Sequence, residues 1–165
     1  MLLYGFESFE KICGYLGTKE LDYDIVLLDI DSDENFKEFD MGEAEKNFFV
    51  TAFDSYSLKK GLDIIGQLTQ KVSMTKVLFS RDILKEDDDY LNFLSFYFSI
   101  MWEEEKIYFP YEQGDNTAIM ENQRISQIRL KNLSQQYRDS LMLIAGLIIP
   151  DTKGGDLKKA LKKIL

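Results

Sequence analysis

Short apolar runs alternate along the chain with longer segments in which apolar residues recur every three or four positions. Runs of this length are typical of strands buried in a parallel sheet. We predict strands over 2–6, 23–30, 47–53, 74–80 and 106–109. The run 23–30 is nearly all apolar and ends in carboxylates, and we expect it to be the central strand, covered on both faces.

The amphipathic segments predict helices between these strands. In the clearest case Leu58, Leu62, Ile65 and Leu68 share one face, and Asp54 or Ser55 supplies the N-cap. The predicted helices span 8–16, 55–70, 87–102, 116–122 and 134–148, and the acidic stretch 31–45 is predicted to be a loop. Alternating strands and helices predict an α/β fold, a three-layer sandwich with a mainly parallel sheet of four or five strands. We assign 1–150 to this domain and 151–165 to a hinge and short tail.

The composition narrows the class of protein. A chain of 165 residues, 45% of them hydrophobic, is enough for one domain with a sizeable core. Its net charge of -9 repels phosphate backbones and disfavours nucleic acid as a partner. The sequence has no histidine, so the commonest general base and metal ligand is missing. The single cysteine, Cys13, is predicted to be a buried structural thiol.

The cellular location is predicted from two features of the chain. Its first residues lack a basic segment followed by an apolar one, the pattern of a secretory signal peptide. Its apolar runs are all shorter than the roughly 20 residues of a membrane span. We therefore expect a cytoplasmic protein.

Carboxylates follow the predicted central strand. In open α/β sheets the carboxyl ends of the strands are where ligands bind. Asp29 and Asp31, with Asp33 and Glu34 nearby, therefore form a candidate Mg²⁺ site. The alternative is that only Asp29 lies at a strand end and that the others are solvated loop residues.

The carboxylates that follow the predicted central strand are also compatible with a phosphatase. In aspartyl phosphatases of the haloacid dehalogenase type, the first Asp of an Asp-x-Asp motif attacks phosphorus and the second handles the proton. Asp29 and Asp31 have that spacing, Thr51 and Lys76 follow in a suitable order, and Asp87 with Asp88 could complete the metal site. The motif departs from the pattern after Asp31, where Ser-Asp replaces the usual residues.

A receiver domain is another alternative. Asp29 would be the phospho-acceptor at the end of its strand, and Thr51 would be the switch residue. The lysine that should precede the proline after the last strand is absent, because Pro110 follows Phe109 directly.

Several segments together resemble a known family. They are YDIVLLDID at 23–31, FVTAFDSYSLK at 49–59, VLFSR at 77–81 and IYFPY at 107–111, followed by the helical region 116–148. In this order and at these spacings they resemble the second half of MinD/ParA-type deviant-Walker ATPases, most closely the TadZ/CpaE branch, which helps to localise pilus or secretion machinery.

The resemblance implies a fold and a class of partner. Asp29 would end the Walker B strand, and Ser80 and Arg81 would stand where the family contacts the nucleotide base. The sequence lacks the Gly-x-x-x-x-Gly-Lys-Ser/Thr loop that cradles phosphates in this class. What is implied is a degenerate or truncated ATPase that needs no cofactor, a non-catalytic interaction domain of a membrane-linked pilus, secretion or localisation assembly.

The tail is basic although the protein is acidic. Residues 156–165 carry apolar residues at helical spacing, with lysines between them, the main candidates being Leu157, Lys158, Lys159, Leu161, Lys162 and Ile164. A helix of this kind can lie in the interface of an anionic bilayer. It is similar in place and character to the C-terminal membrane helix of MinD, which implies a peripheral position at the inner membrane. In the alternative, the apolar residues pack on the domain.

Aromatic residues are concentrated in the predicted helix 87–102. Phe93, Phe96, Tyr97, Phe98 and Trp102 are more than a single buried stripe needs. We expect some of them to form an exposed patch of the kind that marks a partner surface, with self-association as the first candidate. The alternative is that all five belong to the core.

Overall fold

The computed structural model describes residues 2–4, 13–14, 25–30, 36, 41–80, 85–110, 112–149, 155–156 and 159–160. The strands in these ranges are β1 (Leu2–Tyr4), β2 (Leu27–Leu28), β3 (Ala44–Ala52), β4 (Val72–Ser80) and β5 (Ile100–Pro110). The helices are α1 (Ser55–Ile65), α2 (Lys85–Leu94), α3 (Gln113–Ile125) and α4 (Gln135–Ile148).

The strands form one five-stranded sheet in the order β2-β1-β3-β4-β5. Strands β3, β4 and β5 are parallel, and β1 runs antiparallel to both of its neighbours. The α/β class and the strand number are confirmed. The expected mainly parallel sheet is wrong for the β1–β2 side, where both pairings are antiparallel.

The apolar run 23–30 is not the central strand. Of its described residues, only Leu27 and Leu28 are in a strand, and that strand lies at the edge of the sheet against β1. Leu28 and Ile30 pack on the core, whereas Leu27 is 51% exposed. An apolar run indicates burial but not position in the sheet, and here only one face of the strand is covered.

Apolar side chains cover both faces of the parallel strands. On one face Phe49, Met74 and Leu78 pack with Leu58 of α1 and Leu91 of α2. On the other face α4 covers a buried cluster, Phe48, Val77, Ile107 and Phe109. The α4 residues that pack against it include Tyr137, Leu141 and Ile144. This is the α/β sandwich that the pattern predicts.

The start of α1 follows the predicted capping chemistry. The Asp54 side chain accepts hydrogen bonds from the backbone N–H of Tyr56 at 3.1 Å and of Ser57 at 2.8 Å. Ser134 caps α4 by accepting from the N–H of Tyr137 at 3.1 Å. The end of α1 was predicted about five residues too late, because the chain leaves the helix at Gly66.

The boundary between α2 and β5 departs most from the prediction. The helix ends at Leu94, and β5 begins at Ile100 within the segment predicted to be helical. The pairing of β4 with β5 is irregular, because Met74 faces Trp102 whereas Lys76 faces Lys106. Between these two pairs β4 has one residue and β5 has three glutamates, which form a bulge. Because three successive charged residues do not follow the apolar pattern of a strand, the sequence does not predict one there.

Smaller boundary differences concern the other elements. Strand β3 begins at Ala44, inside the predicted loop 31–45, and β4 begins two residues earlier than expected. Helix α3 is longer than the predicted 116–122. Within the described part of the chain, each helix is too short or too polar to cross a bilayer. Cys13 is buried, as predicted, while most of the predicted helix 8–16 lies outside the described residues.

Candidate interaction surface on helix α2

Helix α2 turns polar side chains toward the sheet. Asp88, Leu91, Asn92 and Ser95 recur every three or four positions and therefore share one face. Asp88, Leu91 and Ser95 are buried, and Leu91 is fully so, with 0% exposure. An ordinary surface helix buries an apolar stripe, whereas α2 and the residue after it bury a carboxylate and a hydroxyl beside Leu91, with Leu94 half-buried against the core.

Asp88 lies between two lysines from neighbouring strands. The Nζ of Lys76 on β4, whose side chain is 1% exposed, donates to Asp88 Oδ1 at 2.5 Å and to Asn92 Oδ1 at 2.5 Å. The Nζ of Lys106 on β5 donates to Asp88 Oδ2. The ammonium of Lys76 also lies 5.0 Å from the ring centroid of Trp102, within range for a cation–π contact. The carboxylate therefore joins α2 to β4 and β5.

The shifts in pKa follow from this geometry. Burial works to raise the pKa of the Asp88 carboxyl, but hydrogen bonds from Lys106 and Lys76 outweigh it and hold the pKa below its ordinary value. Burial lowers the pKa of Lys76, although Asp88 opposes that effect. The hydrogen bond to Asp88 raises the pKa of Lys106, which is closer to solvent.

A second set of contacts fixes the end of α2. The indole N–H of Trp102 donates to the Ser95 hydroxyl oxygen at 2.9 Å, and that hydroxyl donates to the carbonyl of Leu91 at 2.8 Å. The Trp102 ring also packs against Phe49, with 5.7 Å between ring centroids. The inward face of α2 is thus held by specific polar bonds along its length.

The opposite face of α2 and the turn that follows it are aromatic. Phe93 is 72% exposed, Phe96 77% and Tyr97 93%, and Tyr90 is also exposed. Phe96 and Tyr97 contact each other edge to face, with centroids 5.2 Å apart. We call these four residues, Tyr90, Phe93, Phe96 and Tyr97, the aromatic surface.

The predicted aromatic cluster is correct in part. Phe93, Phe96 and Tyr97 are exposed, whereas Phe98 and Trp102 pack against the core. The five do not lie on one helix, because only Phe93 precedes the end of α2. Sequence reasoning missed Tyr90, which the i, i+3, i+7 spacing of Tyr90, Phe93 and Tyr97 could have revealed.

The ion cluster next to the aromatic surface is bordered by acidic groups. Asp89 is exposed, and its charge helps to raise the pKa of Lys106. Glu104 and Glu105, in the β5 bulge beside Lys106, are exposed as well. Negative charge therefore lies on α2 itself, at Asp89, and in the β5 bulge, which Lys106 joins to Asp88 of that helix.

Asp29, the carboxylate that sequence analysis singled out, lies elsewhere. It is exposed and borders a cavity of about 670 Å³ between β2, β3 and α1. The described lining is mostly apolar, with Asp29 as its only carboxylate and Lys60 as its only basic residue. Asp31 lies outside the described residues, and within the described part no three His, Cys, Asp or Glu side chains converge as metal ligands would.

The residues named for a phosphatase are not all brought together. Lys76 and Asp88 are in contact, but they form a buried ion pair with each other. Asp29 follows β2, and β1 and β3 separate that strand from β4. At about 4.8 Å per strand, β2 and β4 are roughly 14 Å apart.

One of the two positions proposed for base contact is described, and it lies at the carboxyl end of β4. Ser80 is the last residue of β4 and pairs with Pro110, while Arg81 lies outside the described residues. A cavity of about 320 Å³ opens at this edge, lined by Ala52, Phe79, Pro110, Glu112, Asp115, Asn116, Ile119 and Tyr137. The buried Asp115 carboxylate accepts from the N–H and hydroxyl of Ser134 at 2.5 and 2.8 Å, which gives it a structural partner.

Part of the predicted membrane segment is described. Asp156, Lys159 and Ala160 are helical and exposed, and Lys159 lies 3.4 Å from Asp156. Leu157, Lys158, Leu161, Lys162 and Ile164 lie outside the described residues.

Comparison of the chain with family models, with curated proteins and with solved structures gives no match.

Glu103 joins the three parallel strands on the face opposite α2. Both of its carboxylate oxygens accept from the Nζ of Lys46 at 3.0 Å, and the hydroxyls of Ser73 and Thr75 also donate to it. Burial works to raise the pKa of Glu103, but these hydrogen bonds and the charge of Lys46 prevail and lower it from the ordinary 4.5.

Acid is expected to weaken the fold through Glu103. Because the folded-state pKa is the lower one, the stabilisation is fully present above pH 4.5 and is lost as the pH falls through the folded-state value. The free energy of unfolding, measured by urea denaturation at pH 7 and pH 3, should fall less in Glu103→Gln than in the wild type. The exposed neighbour offers the control Glu104→Gln, which should follow the wild type. Equal losses in Glu103→Gln and the wild type would contradict this role.

Proposed function

We propose that the chain is a non-catalytic interaction domain, MinD/ParA-like and closest to the TadZ/CpaE type, in a membrane-linked pilus, secretion or localisation assembly. The observation that carries the proposal is the arrangement of α2, which buries an ion pair against the sheet and presents aromatic side chains to solvent. Its aromatic surface is the contact surface for a protein partner, and the basic tail supports a position at the cytoplasmic face of a membrane.

Energetics favour an aromatic surface as a binding site. Burying an aromatic side chain is worth about 1.5–3 kcal/mol, and Tyr and Trp are enriched among the residues that dominate interface energies. Phe93, Phe96 and Tyr97 gain little of this in the isolated chain, since each is more than two-thirds exposed. A partner that covers them would recover that free energy without rearranging the buried face of α2.

The degenerate-ATPase part of the proposal is supported by three features. The sheet has three adjacent parallel strands with helices packed on both faces. Ser80 ends β4 at the edge where open α/β sheets bind ligands. The phosphate-binding loop is missing from the sequence.

We therefore expect ATP and ADP to bind weakly or not at all. Most phosphate contacts in this class come from the missing loop. Isothermal calorimetry with Mg²⁺ and either nucleotide should give no Kd tighter than about 10 µM, which corresponds to roughly −7 kcal/mol. A tighter Kd would contradict the non-catalytic assignment.

Imaging in the native cell tests the proposed function. A fluorescent fusion of the chain should form discrete foci at the membrane, and Phe93→Ser with Phe96→Ser should disperse them. Met120→Ser with Ile128→Ser is the matched control, because it removes two exposed apolar residues outside the aromatic surface and should leave the foci intact. Foci that persist in the Phe93 and Phe96 variant would remove this surface from the proposal.

A further inference from the structure

We infer that the aromatic surface of one copy of the chain binds the basic C-terminal segment, residues 156–165, of a second copy. The inference rests on the proposed function, since it names a partner for the same surface. Its consequence is a reciprocal dimer in which each tail crosses to the other protomer.

The two surfaces are complementary in charge. Residues 156–165 contain four lysines and one aspartate, which leaves sixteen basic and twenty-eight acidic side chains in residues 1–155, a net charge of -12. Asp89, Glu104 and Glu105 are among the exposed acidic groups near α2. A basic segment brought to this side of the molecule is attracted by both the local and the total charge.

The contact chemistry also matches. The tail carries leucine and isoleucine at helical spacing, which can cover Phe93 and Phe96, and its lysines can lie over the faces of Tyr90 and Tyr97. A short amphipathic helix on an apolar surface is an established mode of protein recognition.

The same charges disfavour the simpler face-to-face dimer. If two aromatic surfaces met directly, the Asp89 side chains of both copies would be brought near one interface, on bodies that each carry strong negative charge. Like charges juxtaposed at an interface are costly. Exchange of basic tails avoids this repulsion.

The direction of α4 fixes where the chain leaves the domain. Tyr137 of α4 packs on Phe109, with 4.7 Å between ring centroids, and one turn later Ser140 donates to the carbonyl of Tyr108 at 2.5 Å. Helix α4 therefore runs toward the amino end of β5, on the sheet face opposite α2. The seven residues 149–155 can extend up to about 23 Å beyond it.

The described tail residues are accessible to a second copy. Asp156, Lys159 and Ala160 are all exposed. In a twofold-symmetric dimer each exchange is made twice, and the two contacts reinforce each other.

Sedimentation equilibrium of the purified chain tests the inference. At about 100 µM protein and low salt we expect a dimer, because charges are screened little under these conditions. Deletion of 156–165, and separately Phe93→Ser with Phe96→Ser, should each raise the dimer Kd by at least about tenfold. Met120→Ser with Ile128→Ser should leave it unchanged. A synthetic peptide of residues 156–165 should bind the deleted chain, and the same peptide with its four lysines replaced by glutamate should not.

Four results would overturn the inference. Three are an intact chain that stays monomeric, a dimer that survives loss of the tail, and a tail peptide that binds anionic phosphatidylglycerol vesicles but not the deleted chain. Hydrogen exchange in α2 that is slowed by the tail in a monomer would likewise overturn it, in favour of an intramolecular contact. The proposed function would stand in each case if the foci still required Phe93 and Phe96.

Discussion

Replacing Asp88 by asparagine is expected to lower the free energy of unfolding by about 3–5 kcal/mol, the usual result of removing one partner from a buried ion pair. The carboxylate is the only anion that contacts Lys76 in the described structure, and the side chain of Lys76 is 1% exposed. Without the Asp88 carboxylate, the ammonium of Lys76 would have to lose its proton or remain charged in the core. Urea denaturation at pH 7 measures the change.

Two variants isolate the charge effect of Asp88. Asp89→Asn changes the neighbouring, exposed carboxylate and should alter stability by no more than about 0.5 kcal/mol. Lys76→Met combined with Asp88→Asn removes both buried charges and should recover part of the loss, as other buried pairs do when replaced together. An Asp88→Asn protein as stable as the wild type would show that Asp88 does not hold α2 to the sheet.

The second large effect is expected at Leu91, next to Phe93 on the same helix. Leu91→Ala should cost about 2–5 kcal/mol, because the side chain is fully buried and leaves a cavity. Phe93→Ala removes a larger apolar group but should cost less than about 1 kcal/mol, since Phe93 is 72% exposed. Thermal or urea unfolding of the two variants gives the comparison.

This pair of variants tests the orientation of α2 directly. Both replace one apolar residue by alanine within a single turn, so differences in helix propensity are small compared with the expected gap. If Phe93→Ala proved the more destabilising, the helix would present its aromatic residues to the core and the aromatic surface would not exist.

Elements governed by local chemistry were predictable from the sequence. Asp54 caps its helix as expected, because an N-cap depends on residues within one helical turn. The parallel strands β3 and β4 were located within three residues, since each is a compact apolar run. The edge position of Leu27 and Leu28 was not predictable, because it depends on pairing with the distant Leu2 and Leu3.

The candidate site was predictable only in part, for a physical reason. The aromatic concentration was visible, but the end of α2 was not, because Ser95 and Trp102 fix it through a tertiary hydrogen bond. Lys76 and Asp88 were singled out for phosphatase chemistry, and the structure uses them as a buried ion pair instead. Sequence shows that charges are present, while only the fold shows which of them are desolvated.

Site-specific photo-crosslinking tests the central claim, that the aromatic surface contacts protein. The photoreactive residue p-benzoylphenylalanine would replace Tyr97 in the chain expressed in its native cell, and Tyr56, a 76% exposed tyrosine of α1, provides the matched control position. We expect a defined crosslinked protein adduct from position 97, lost when Phe93 and Phe96 are replaced by serine, and none from position 56. Equal adducts from both positions, or none from position 97, would contradict it.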